Sequence, residues 1–161
     1  MQEESNETAK PRRNWGRVLV RIVGVLVVIG LIIQLVPLSR DNPAVASEPA
    51  WDSPETRALA QNACFDCHSN ETVWPWYSKV SPSKLLVWVD VTEGRSAMNF
   101  SDWQARSRPL SDIVEVIDSG SMPPFYYPLM HSEAKLSDTQ KAQLIEGLRA
   151  TLSQTDTGQT G

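Results

Sequence analysis

The sequence predicts an all-α domain preceded by one membrane-spanning helix, and three observations predict it. An apolar run of about twenty residues lies near the N-terminus, long enough for a span. Elsewhere, apolar residues recur at helical spacing rather than in strict alternation. Serine–proline and Ser-x-x-Gln helix-start signals punctuate the remainder, with no hairpin turn, internal repeat or glycine-rich phosphate loop between them.

Residues 1–14 are polar and mixed in charge without apolar periodicity, which reads as a disordered cytoplasmic tail. Val18 to Val36 is nearly continuous valine, isoleucine and leucine, and the anchor is placed at 15–38. Arg21, near its start, can snorkel to the headgroups. The cluster Arg12, Arg13, Arg17 and Arg21 marks the cytoplasmic side, so the remainder exits on the opposite face. A cleaved signal peptide is the alternative, because Ala44-Val45-Ala46 has the small-x-small form of a cleavage site. The apolar run exceeds the usual h-region, however, and that site lies beyond Pro37, Arg40 and Asp41. A buried core helix is the other alternative, disfavoured by valine and isoleucine on every face.

Residues 39–50, with Pro43, Pro49 and small residues, read as a linker, and 51–152 as the globular domain. Ser53-Pro54 is an N-cap followed by proline at the first helical position, which predicts a helix from about Pro54 to Ala63. Ser81-Pro82 repeats the signature, with Gly94 as a stop, and the run Leu85 to Val89 falls inside that helix. Ser101 to Gln104 has the form of a capping box. Leu110, Ile113, Val114 and Ile117 fall at helical spacing between Pro109 and Asp118, before Gly120. Ser137 to Gln140 is a second capping box. It introduces Leu144, Ile145, Leu148 and Leu152, one apolar stripe of a closing amphipathic helix. Residues 153–161 are polar and read as a disordered tail.

From Asp41 onward, 16 acidic side chains stand against 9 basic ones, a net charge of −7. Without a basic face, nucleic-acid binding is disfavoured. An acidic surface favours docking to basic partners, mainly through association rate. Two cysteines are too few for a disulfide framework, and two histidines keep the list of metal ligands short.

Those cysteines stand in Cys64-Phe65-Asp66-Cys67-His68, the C-x-x-C-H signature of c-type haem attachment. Residues three apart share one side of a helical turn. Both sulfurs can therefore reach the vinyl groups along one haem edge, with His68 following as proximal iron ligand. A redox dithiol needs a βαβ context, which is lacking. A zinc site needs four ligands, for which Cys64, Cys67, His68 and His131 could be counted, but His131 stands alone rather than in a doublet. A chance motif without cofactor is the blandest reading, and it fits poorly beside an exporting anchor.

Candidate distal ligands are Met98, Met122, Met130 and His131. A lone methionine is more often core packing. Met122 stands out because Ser119-Gly120-Ser121-Met122-Pro123-Pro124 is a proline-stiffened loop, 54 residues after His68 and able to present a side chain across a pocket. His131 is the alternative distal ligand, and its plain reading is a surface histidine before the last helix. Trp74, Trp76 and Tyr77 read first as core and as packing around a haem edge. Hydrogen bonding to a haem propionate is the sharper reading, and Arg95 either pairs with a propionate or faces solvent.

The order of segments resembles the bacterial haem-binding domain family, a divergent group of monohaem c-type cytochrome domains. The matching stretches are Cys64 to His68, Ser69 to Thr72 with Trp74 to Ser78, Gly94-Arg95, Asn99 to Trp103, Gly120 to Pro124 with Tyr127, and His131 with Leu136-Ser137. They cover roughly residues 55–150. The resemblance implies a small cytochrome-c-like helical domain with one covalently attached haem c, and the Met-Pro loop is similar to the distal-ligand loop of monohaem cytochromes c. Many relatives carry a tryptophan near Leu85 and a histidine near Val89. Neither is present here, which leaves Met122 and His131 as the contenders.

The function expected is electron transfer by a membrane-anchored cytochrome between redox partner proteins at the membrane, not enzymatic catalysis. His/Met ligation fills both axial positions and raises the potential relative to bis-histidine. The alternatives are a haem-based sensor or small peroxidase-like enzyme with an exchangeable distal ligand, and a haem subunit of a larger oxidoreductase.

Overall fold

The computed structural model describes residues 14–157; of the tails expected over 1–14 and 153–161, residues 1–13 and 158–161 lie outside the described residues, while 153–157 are helical instead of disordered. The chain divides into two compact units, one ending at Pro37 and one beginning at Leu38.

In the first unit, α1 (Trp15–Leu35) has 21 residues, roughly 32 Å at 1.5 Å per residue, against a hydrocarbon core of about 30 Å. None of its residues is buried, so it is not a core helix, and its length and composition allow it to cross a membrane.

The second unit is helical throughout. Its elements are α2 (Pro54–Ala63), α3 (Phe65–His68), α4 (Ser83–Ala97), α5 (Leu110–Asp118) and α6 (Asp138–Thr157), with 3₁₀ turns at Trp76–Lys79, Tyr127–Leu129 and Ser132–Ala134. Among the described residues no strand forms, and an isolated parallel bridge joins Ser47 to Asp102. The all-α expectation holds.

The caps follow the sequence at α2 and α6. Ser53 Oγ accepts the Thr56 N–H at 3.2 Å, with Pro54 at the first helical position. At α6 the capping box closes in both directions: Gln140 N–H donates to Ser137 Oγ at 3.3 Å, and Ser137 N–H to Gln140 Oε1 at 2.9 Å. α6 continues to Thr157, beyond Leu152, where its buried stripe ends. α5 ends before Gly120, whose φ of 70° suits a residue without a Cβ.

One hydrophobic core runs through the unit. α6 supplies Leu144, Leu148 and Leu152, α5 supplies Ile113 and Ile117, and α2 supplies Ala60. An aromatic stack completes it: Phe65 lies 5.3 Å from Phe100, and Phe100 lies 5.5 Å from Trp103. Met98 is buried in the same cluster, which removes it from the distal candidates.

Four local expectations are corrected. The helix expected at Pro82 starts at Ser83, with Pro82 in the cap position and no side-chain cap bond. A proline there cannot offer the side-chain acceptor that caps a helix. Gly94 does not stop α4, which continues to Ala97. Ser101 caps no helix; it is buried, and its Oγ accepts the Asn70 N–H at 2.9 Å.

Finally, 39–50 is no loose linker but an extended strap bonded to its own domain. Ala46 and Ser47 N–H groups donate to Ser101 O at 2.8 and 3.2 Å, and Trp103 N–H donates to Ser47 O at 3.1 Å. Asn42 Nδ2 donates to Thr72 O at 2.9 Å, and Asn70 Nδ2 to Ala44 O at 3.0 Å. Further on, Glu48 pairs with Arg57 at 3.0 Å. Proline and small residues look like linker composition, but they also suit an extended segment whose backbone groups bond elsewhere.

Candidate functional site

The chain breaks its helix between Ala63 and Phe65, where Cys64 has φ −127° and ψ −37°, then turns once more as α3. The amides of Cys67 and His68 both donate to Cys64 O, at 3.2 and 2.9 Å, so the C-x-x-C-H segment is a single closed turn. Beneath it lies a polar knot. His68 O accepts Phe100 N–H at 2.8 Å, Asn99 Nδ2 donates to Asn70 Oδ1 at 3.0 Å, and Ser101 N–H donates to Asn99 Oδ1 at 2.9 Å. Asn70, Asn99, Phe100 and Ser101 are buried with these hydrogen bonds made, and such networks fix a geometry.

His68 is oriented by α4. Its Nδ1 lies 2.9 Å from Gly94 O and 3.2 Å from Met98 O. Carbonyl oxygens only accept, so Nδ1 carries the proton and Nε2 keeps its lone pair. A metal-binding histidine is normally set this way, through a hydrogen bond at its other nitrogen. Burial holds the His68 imidazole below its ordinary pKa, so it stays neutral. Gly94 permits the contact: a Cβ there would come within 2.4 Å of Cys67 O.

Two neighbouring cavities meet at this turn. One of about 320 Å³ is lined by Cys64, Cys67, His68, Gly94 and Met122. The other, about 440 Å³, is mostly apolar and is lined by Trp76, Tyr77, Leu86, Met130 and His131. Asp66, Cys67, Asp90, Tyr126 and Tyr127 line both, so the two adjoin along one wall. The structure thus brings Met122 to the cavity of His68 and the cysteines, and places His131 in the adjoining one. His131 is also engaged. Its Nδ1 lies 3.2 Å from Glu133 Oε1 and its Nε2 2.6 Å from the Tyr77 hydroxyl. Both of its ring nitrogens are thus engaged by protein partners.

The donor set fits an iron porphyrin held by two thioethers: a pair of thiols one turn apart, an imidazole with a free Nε2, and a thioether sulfur lining the same cavity. It does not fit the other metal and redox readings. Among the described residues no group of three His, Cys, Asp or Glu side chains assembles as a metal cluster. Burial pushes both thiols up to about 12, the reverse of a redox-active dithiol, which needs a stabilised thiolate.

Arg95 is half-buried, and its guanidinium is engaged by protein acceptors. It donates from Nε to Ser69 O at 2.7 Å, from Nη1 to Asp41 O at 2.9 Å, and from Nη2 to Asn42 Oδ1 and Thr72 Oγ1, both at 2.9 Å. It clamps the strap to the segment that follows the C-x-x-C-H turn. Trp74 Nε1 donates to Asn42 Oδ1 at 3.2 Å and Tyr77 is held by His131, while Trp76 is 72 % exposed. The reading of Trp76 as core is corrected.

Sequence reasoning missed Gly94 as the His68 acceptor and passed over Asp66, Asp90 and Tyr126. A carboxylate within the C-x-x-C spacer and adjacent tyrosines after the Met-Pro loop were the visible signals. The model of one protein family, described as the haem-binding domain, matches residues 28–150. No curated protein and no solved structure matches the chain.

Proposed function

This chain belongs to the haem-binding domain family, and on that premise we propose that it is a monohaem c-type cytochrome that carries electrons at a membrane. The observation that carries the reading is the His68 arrangement. Nδ1 is tied to the Gly94 carbonyl, Nε2 is left free, and Cys64, Cys67 and Met122 line the cavity beside it.

Bound haem supplies an iron that gains and loses one electron. The chain supplies the rest. Cys64 and Cys67 would hold the haem through thioethers, each sulfur bonding one vinyl carbon while its proton goes to the other. His68 would ligate the iron through its free Nε2, its basicity raised by the hydrogen bond to Gly94. Met122 would supply a thioether ligand, which favours a higher potential than a second histidine would. An iron held by both residues would serve electron transfer and not substrate binding.

α1 anchors the protein, and Arg12, Arg13, Arg17 and Arg21 keep the N-terminus cytoplasmic by the positive-inside rule, so the haem domain stands on the periplasmic side. Confinement to the membrane surface raises the effective concentration of redox partners held there. The net charge of −7 from Asp41 onward favours partners with a basic face.

The test is the purified, full-length protein expressed with haem attachment. Its mass should exceed that of the polypeptide by one haem that survives denaturation. The ferric spectrum should show the weak methionine–iron charge-transfer band, lost in Met122→Ala and kept in His131→Ala. Haem released on denaturation overturns covalent attachment; a band that survives loss of Met122 overturns the distal assignment.

A further inference from the structure

The segment that carries Met122 is tied down by side chains outside the ligand set. Its start is fixed by the backbone, because Met122 N–H donates to Val116 O of α5 at 3.0 Å. Its end is fixed by two consecutive tyrosines. The Tyr126 hydroxyl lies 3.1 and 3.2 Å from the two carboxylate oxygens of Asp90 on α4. The Tyr127 hydroxyl donates to Asp66 Oδ2 at 2.7 Å.

Asp66 stands between the two cysteines, and it is itself immobilised. Its Oδ1 accepts the Val73 N–H at 2.8 Å, and its backbone oxygen accepts the Thr72 hydroxyl at 2.8 Å. Its side chain is 18 % exposed, so a hydrogen bond to its carboxylate is weakly screened. The Tyr127 ring has a seat of its own. It stacks on the His131 imidazole with centroids 4.2 Å apart and 7° between planes, and His131 is held in turn by Tyr77. Pro123 and Pro124 stiffen the stretch between Met122 and the tyrosines.

We propose that Tyr127, bonded to Asp66 and seated on His131, is the positioning residue that holds the Met122 loop closed over the iron site. The hydrogen bond runs from the distal loop to the attachment turn, so the two sides of the site are latched to each other directly. His131 thereby acts as the seat of the latch and not as a ligand. The proposal rests on the reading of Met122 as distal ligand.

Carbon monoxide binding to the reduced, full-length haem protein tests it. The gas must wait for the distal ligand to leave, so its binding rate reports loop opening. Tyr127→Phe keeps the ring and its stack but removes the hydroxyl. It should bind carbon monoxide about tenfold faster or more, as loss of a hydrogen bond to a charged group implies. Asp66→Asn keeps an acceptor oxygen and should fall between Tyr127→Phe and wild type, with its unfolding midpoint near that of Tyr127→Phe. A merely structural role would move the midpoint and leave the rate alone. A wild-type rate in Tyr127→Phe overturns the latch. If Met122→Ala binds no faster than wild type, the ligand assignment fails; an accelerated Tyr127→Phe would then still show that the latch closes the site.

Discussion

His68 Nδ1 lies 2.9 Å from the backbone oxygen of Gly94, and the same glycine lets α4 pass against the Cys67 carbonyl. One position therefore serves both orientation of the imidazole and close approach of helix and attachment turn. Gly94→Ala puts a methyl group 2.4 Å from Cys67 O and 3.0 Å from Cys67 Cβ, with backbone on both sides of the clash. Relief requires α4 to retreat, which lengthens the His68 hydrogen bond. The cost expected is about 1–3 kcal/mol, typical of overpacking. Thermal unfolding should show a lower midpoint, and covalent haem content per protein should fall. An alanine variant as stable and as fully loaded as wild type would show that the contact is not a constraint.

Arg95 gives a second prediction. Its guanidinium makes four hydrogen bonds, to Ser69, Asp41, Asn42 and Thr72, from three nitrogens. A lysine ammonium cannot reproduce that planar fork. Arg95→Lys should therefore destabilise by at least about 1 kcal/mol, and Arg95→Ala by more. The sharper readout is local. Protease cleavage within residues 38–47 should be slow in wild type and fast in both variants, because Arg95 holds the strap at Asp41 and Asn42. Cleavage unaffected by the lysine substitution would mean that charge alone suffices.

The Glu48–Arg57 pair predicts a pH dependence. The hydrogen bond from Arg57 holds the Glu48 carboxyl below its ordinary pKa, against the opposing effect of burial. A lowered folded pKa means that the stabilisation is complete above the unfolded value, about 4.3, and is lost as pH falls through the folded one. Glu48→Gln should thus be less stable than wild type near pH 7, and the two should converge toward pH 3. Both side chains are about a quarter exposed, so the difference at neutral pH should not exceed about 1 kcal/mol. Unfolding free energies measured from pH 3 to 7 decide it; a gap that persists at low pH would point to packing instead of charge.

Much of this architecture was legible in the sequence because local chemistry dictated it. Ser53-Pro54 and Ser137 to Gln140 start helices through bonds made within four residues, and the stripe from Leu144 to Leu152 buries itself whatever it packs against. The single turn of the C-x-x-C-H segment was legible for the same reason. Readings that depended on distant partners fared worse. Gly94 resembles a helix stop until Cys67 is seen against it. Ser101 resembles a cap until Asn70, thirty-one residues earlier, claims its hydroxyl. The acceptors of Arg95 on the strap, Asp41 and Asn42, lie more than fifty residues away in sequence, beyond the reach of any local pattern. Residue types reveal what a side chain can bond; only the fold decides which partner arrives.

The strap yields the last prediction, and it reverses the usual expectation for a proline-containing segment after an anchor. A chain beginning at Leu38 keeps the whole second unit, including the bonds of Asp41, Asn42, Ala44, Ala46 and Ser47. A chain beginning at Trp51 keeps every helix of that unit but loses these bonds and the Glu48–Arg57 pair. It also uncovers buried groups, among them Ser101 O and the Trp103 N–H, that the strap satisfies. Each lost intramolecular bond costs about 0.5–1.5 kcal/mol net, and a buried group left unsatisfied costs about 1–3 kcal/mol. The Leu38 chain, exported and loaded with haem, should match the unfolding free energy of the corresponding unit in the full protein to within about 0.5 kcal/mol. The Trp51 chain should lose at least about 3 kcal/mol, a large share of the stability of a small domain. Equal stability of the two chains would return residues 39–50 to the status of a linker. A difference of the expected size makes them part of the domain.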